Sequence, residues 1–161
     1  MRRLVLIIGV AVVLSVLAAP ALATDTPKKL DVLLYADTVN GTRPSGAKPR
    51  PIGCTQTNIY TRGEQVVFRT WGTEAATGDI LSTENVKYAY VKIPGVANMK
   101  LNWGAHGATS NRVWFWTVPW IVAADYPLGT ITARIVFKTE TGKFGAFDYV
   151  LTINPTPSAR K

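Results

Sequence analysis

Few residues in this chain could do chemistry. His106, Cys54 and Met99 are the ligand types of a blue-copper centre, but such a site takes two histidines beside its cysteine, and the chain has one. Zinc fares no better, because a structural site needs four ligands and a catalytic one three, usually with several His or Cys among them. Acyl transfer needs a nucleophile beside a base, and that base oriented by a third group. Ser110 or Cys54 could be set against His106, yet Gly104-Ala-His-Gly107 reads as a loop with no orienting acid at a recognisable spacing. His106 is expected to be a loop residue that packs on Trp103 or faces water.

Paired carboxylates could serve glycoside hydrolysis if two strands brought them together. The acids Glu64, Glu74, Asp79, Glu84, Asp125 and Glu140 fall in or next to expected turns, and Asp148 is the one acid placed within a strand. No phosphate loop and no dinucleotide glycine pattern is present. The expectation is a protein without catalytic residues, metal or cofactor.

Side chains remain that could bind rather than react. The stretch Asn111 to Trp120, NRVWFWTVPW, holds three of the five tryptophans. Read as a strand, Val113, Phe115 and Thr117 face one side while Arg112, Trp114, Trp116 and Val118 face the other. Burying a tryptophan removes about 150 to 250 Å² from water, worth several kcal/mol at roughly 25 cal/mol per Å². One reading therefore turns Trp114 and Trp116 into a core or a dimer interface. The other turns Val113 and Phe115 inward and leaves two indoles roughly 7 Å apart on the outside of a sheet. Such a pair could stack on sugar rings, with Arg112 or His106 bonding hydroxyls, or form an apolar patch for a protein partner. The candidate binding surface is Trp103, His106, Arg112, Trp114, Trp116 and Trp120.

The elements that must position these residues follow from composition. Two arginines, an apolar run from Leu4 to Leu17 and a small-residue end at Ala21-Leu-Ala23 have the layout of a secretory signal peptide over residues 1–23. An uncleaved anchor would need roughly 17 to 25 apolar residues, and no later stretch is apolar enough to span. A secreted or periplasmic product is expected, with no transmembrane segment after cleavage. Residues 24–53 read as an N-terminal extension and a basic linker, since Asn40 to Pro51 carries three prolines and two glycines without hydrophobic periodicity. Within the extension, Leu30 to Ala36 could be an extra strand. Asn40-Gly-Thr42 matches a glycosylation sequon.

Residues 24–161, the expected mature chain, are one domain's worth and long enough to bury a core without staples, and 54–155 are expected to form the sandwich. The lone Cys54 cannot close an internal disulfide and is expected to be a buried, inert thiol. The net charge of +8 does not point to nucleic acid, because residues 52–158 hold nine basic against seven acidic side chains. The excess lies in the signal segment, the linker and the C-terminal tail 156–161. Affinity for phosphates needs positive charge concentrated on the folded part. Weak attraction to an anionic envelope or polysaccharide suits this distribution better.

From Thr55 onward, short runs of Val, Ile, Thr, Tyr, Phe and Trp alternate with Gly, Pro, Asn and Asp, and nothing reads as a helix. Val66, Phe68 and Thr70 share one face; Val86, Tyr88 and Tyr90 alternate with Lys87, Ala89 and Val91; Met99, Leu101 and Trp103 share a face. Ile131, Ala133, Ile135 and Phe137 form the cleanest half-buried strand, and Phe147, Tyr149, Leu151 and Ile153 the inner side of the last. About seven strands without helices predict an all-β, antiparallel two-sheet sandwich.

The segment Asp125 to Ile153, DYPLGTITARIVFKTETGKFGAFDYVLTI, resembles the closing hairpin of bacterial immunoglobulin-like domains. Thr61 to Arg69, TRGEQVVFR, is similar to their second strand. The resemblance covers about residues 55–154 and is one of pattern. The chain departs from antibody-type domains in lacking a cysteine pair. The tyrosine often found two residues past the glycine is Ile131 here, with Tyr126 the candidate to replace it. The resemblance implies a secreted, non-catalytic immunoglobulin-like sandwich and no particular ligand. The expected function is a binding or assembly module that meets an envelope or extracellular protein through Trp103 to Trp120. The alternative is carbohydrate binding by Trp114 and Trp116.

Overall fold

The computed structural model describes residues 30–41 and 54–155. The expected signal segment, most of the basic linker and the tail 156–161 lie outside the described residues. The described chain is all β with nine strands: β1 (Val32–Asn40), β2 (Ile59–Thr61), β3 (Gln65–Glu74), β4 (Val86–Lys92), β5 (Met99–Lys100), β6 (Asn102–His106), β7 (Val113–Ile121), β8 (Gly129–Thr139) and β9 (Phe144–Asn154). They form a four-stranded sheet in the order β1-β3-β7-β6 and a five-stranded sheet in the order β2-β9-β8-β4-β5. Every pairing is antiparallel except that of β2 with β9. No helix of the described residues is long and apolar enough to cross a membrane.

Alternation builds the core. Val66 and Phe68 of β3, Trp116 and Val118 of β7, Ala133, Ile135 and Phe137 of β8, and Leu151 and Ile153 of β9 are buried in one cluster shared by both sheets. Their partners on the same strands face outward, as a period of two requires. Two sheets closing over one such cluster are compatible with a β-sandwich.

Three features differ from the simple alternation. The apolar run at Leu30 does become a strand, but β1 extends to Asn40 and pairs along its whole length with β3. The sheet therefore begins at Val32, inside the stretch read as an extension. In β4 the register shifts between Val86 and Tyr88. This bulge re-phases the strand, so that Val86, Ala89 and Val91 are buried while Tyr88 and Tyr90 lie together outside, their rings 5.3 Å apart.

The third feature is a corner. Met99 and Lys100 pair with β4, whereas Asn102 onward pairs with β7 in the other sheet. Leu101, fully buried between them, is where the chain crosses from one sheet to the other. What read as one short strand is thus two.

Close contacts hold the sheets in place. A Cβ on Gly145 of β9 would sit 2.7 Å from the Val32 side chain of β1, so only glycine permits this approach. Lys143 reaches from the β8–β9 turn to the carboxylate of Glu74 at the end of β3. Tyr126 packs edge-on against Trp120, ring centroids 5.0 Å apart, and its hydroxyl donates to the carbonyl of Pro94 at 2.8 Å. Burial pushes its phenol pKa up. The hydroxyl thus ties the turn after β7 to the turn after β4.

Candidate functional site

Strand β7 separates two environments, and its tryptophans do not share one. Trp116 is 4% exposed. Its indole N–H donates to the carbonyl of Leu81 at 2.8 Å, and its ring meets Phe137 of the opposite sheet edge-on at 5.4 Å. Trp120 is also buried, against Tyr126. Both belong to the core, and neither forms part of an accessible surface. Trp114 points the same way but lies two residues nearer the strand's outer end, past the cover of the second sheet. It is 54% exposed.

Trp114 is not isolated. Its ring stacks on that of the half-buried Trp103 of β6 with centroids 5.9 Å apart, and Trp103 continues inward to Trp116 at 5.5 Å. Three indoles therefore run from the core to water across β6 and β7. β6 is the last strand of its sheet. Its residues, Asn-Trp-Gly-Ala-His, include no lysine, no other charged residue and no proline to discourage a further strand.

The outer face of the same sheet carries a second set of aromatic side chains, one from each strand. Tyr35 of β1 lies 5.6 Å from Trp71 of β3, Trp71 lies 4.9 Å from Phe115 of β7, and Phe115 is stacked by His106 of β6 at 4.2 Å. The expectation of a loop residue that packs on Trp103 or faces water is thereby corrected: His106 ends β6 and is half-buried, and it alternates with Trp103 along that strand, so their side chains leave opposite faces. The guanidinium of Arg69 lies 5.7 Å from the Trp71 ring centre and 5.9 Å from that of Phe115, within cation–π range.

Arg69 is also held edge-on by Asp37 across the β1–β3 ladder. Its Nε donates to Oδ1 at 2.7 Å and its Nη2 to Oδ2 at 2.5 Å, a two-pronged geometry that fixes the guanidinium plane. This bond, outweighing the cost of burial, raises the Arg69 pKa further above its usual value. Desolvation first, and the Arg69 charge second, hold the His106 imidazole below the usual histidine value.

Beside this row, the outer face sinks into a cleft of about 740 Å³. Val67, Phe115, Thr117 and Pro119 form its floor, His106 and Asn111 one side, and Asn40, Gln65 and Cys54 the other. Cys54 is exposed and takes a left-handed backbone angle, φ 58°, which corrects the expectation of a buried thiol. Asn40 is 3% exposed, so the sequon's acceptor amide lies in the wall of the sheet rather than at a loop tip.

Comparison with known protein families finds none that matches the chain, and comparison with curated proteins finds none similar to it.

The six sequence candidates thus separate. Trp103 and Trp114 form one exposed contact at the open end of the sheet, with Arg112 exposed beside them. His106 belongs to the cleft on the opposite face. Of the acids, Asp148 pairs with Arg134 on the exposed side of the β8–β9 hairpin at 3.1 Å. Among the described residues, no three His, Cys, Asp or Glu side chains come together as a metal site would require. Sequence reasoning missed Tyr35, Asp37, Arg69 and Trp71. Each sits at an alternating outer position of its strand, but only the register of β1 on β3 brings them together.

Proposed function

We propose that the protein is an exported, non-catalytic sandwich of the immunoglobulin-like kind, acting as a binding or assembly module for a protein partner. The partner docks at the open end of the four-stranded sheet, where β6 offers an unguarded edge and Trp103 and Trp114 offer an apolar contact. The exposure of Trp114, in a protein that has buried Trp116 and Trp120 on the same strand, carries this assignment. A half-exposed indole backed by a second ring is the type of side chain that dominates binding energy at interfaces. An extended segment adding to β6 would gain main-chain hydrogen bonds at the same time.

Export is supported by the residue pattern of 1–23, and the non-catalytic assignment by the scatter of acids and the single histidine. Carbohydrate binding by Trp114 and Trp116 together is not favoured, because only one of the two rings reaches water.

A photo-crosslinking residue at Ala105, introduced in the producing cell, tests the proposal. A discrete protein adduct is expected, and the purified pair should lose binding in Trp114→Ala while that variant keeps its melting temperature. Absence of any adduct at Ala105, or a partner indifferent to Trp114→Ala, would overturn it.

A further inference from the structure

We propose that the cleft on the outer face of the four-stranded sheet is a second, separate binding site, and that it takes a neutral carbohydrate. It lies on the side of β6 and β7 opposite Trp103 and Trp114, so it does not depend on the partner surface proposed above. Its volume, about 740 Å³, falls within the usual range for small-molecule sites.

The lining selects the ligand class. The floor offers apolar surface chiefly from Val67 and Pro119, beside a Phe115 ring that His106 covers, which suits the C–H face of a sugar ring. The rim offers neutral hydrogen-bonding groups, the amide of Asn111 and the imidazole of His106 on one side and Gln65 on the other, and the floor adds the hydroxyl of Thr117. Among the described lining residues the formal charge is Arg69, and Asp37 already engages two of its nitrogens. Nη1 takes part in neither of those bonds.

Other ligand classes fit less well. An anion would meet a guanidinium already neutralised by a carboxylate, and a cation would meet no unmatched carboxylate among the described lining residues. An acyl chain would cover the floor but leave the amides of the rim without water or partner, a cost of about 1 to 3 kcal/mol per group. A polyhydroxylated neutral ring satisfies both floor and rim. The lowered pKa of His106 agrees, since it keeps the imidazole uncharged and able to accept as well as donate.

Cys54, the chain's one cysteine, is exposed on the rim and reports on occupancy. The rate of its alkylation by N-ethylmaleimide is to be measured with cellotriose, maltotriose and triacetylchitotriose, and with decanol as the apolar control. At least one sugar is expected to slow alkylation, by about threefold at twice its dissociation constant. The protection should vanish in Asn111→Ala and in His106→Ala, and persist in Trp114→Ala. Isothermal titration with the same sugar checks that protection reflects binding, and melting temperatures check that the variants are folded; if His106→Ala is not, Asn111→Ala decides. No protection by any of the three sugars, protection by decanol alone, or protection that survives Asn111→Ala would overturn the proposal. Loss of partner binding in Trp114→Ala with sugar protection intact separates this site from the one at β6.

Discussion

The indole nitrogen of Trp116 lies 2.8 Å from the carbonyl oxygen of Leu81, deep in the core and thirty-five residues away in sequence. This bond marks the inward side of β7. With Trp116 turned inward, period two sends Val118 and Trp120 inward with it, and sends Phe115 and Thr117 to the outer face.

Removing that bond should be felt in stability before anything else. Trp116→Phe keeps most of the apolar contact but strands the Leu81 carbonyl, at about 1 to 3 kcal/mol. Trp116→Ala should cost about 3 to 5 kcal/mol. Urea unfolding measures both, and a Trp116→Ala variant as stable as wild type would remove this ring from the core.

Trp114 two residues away should behave in the opposite manner. Since half of its surface already meets water, Trp114→Ala is expected to shift stability by less than about 1 kcal/mol. Its intrinsic fluorescence should also be quenched by iodide, unlike that of Trp116. A large loss of stability would show that Trp114 serves packing rather than contact.

Asp37 is expected to be a fixed element of the outer face. Asp37→Ala leaves Arg69 half-embedded without its carboxylate, and because Arg69 remains about a quarter exposed the cost should be about 2 kcal/mol, below that of a fully buried pair. The paired change Asp37→Asn with Arg69→Gln should recover part of that loss. A double-mutant cycle with no coupling would mean that the pair contributes nothing.

His106 should give stability a pH dependence with a definite sign. Its folded pKa is lowered, so in acid the unfolded chain takes up a proton that the folded chain resists. The contribution of neutral His106 is fully present above the ordinary histidine value and is lost as pH falls through the lowered one. Between about pH 7 and about pH 5, wild type should therefore lose more melting temperature than His106→Asn. Equal losses would rule this out.

Much of the fold was legible because burial on one side of a sheet leaves its period in the sequence. Ala133, Ile135 and Phe137 of β8 and Leu151 and Ile153 of β9 are buried as expected, while Ile131, Phe147 and Tyr149 on the same faces are partly buried and Val136 is buried on the other. β4 was harder: its bulge hides Ala89 and Val91 behind an apparent alternation of Val86, Tyr88 and Tyr90. β5 and β6 looked continuous because Met99, Leu101 and Trp103 keep period two through a corner that only tertiary pairing creates. The candidate site was legible in part. NRVWFWTVPW read as a strand and forms β7, but a strand aromatic on both sides carries no signal for which side is wet. The Asp37–Arg69 pair joins residues thirty-two positions apart, and no local pattern announces such a meeting.

β2 imposes an order on folding. Ile59–Thr61 aligns in parallel with Thr152–Asn154, so one border of the five-stranded sheet waits for a segment made about ninety residues later. While the ribosome is still adding β8, the β2 segment has nothing to zip onto. The larger sheet cannot be completed until Thr152–Asn154 has been made, and closing so long a loop makes that step slow. The newborn chain therefore keeps this border of the sheet unpaired until β9 has emerged.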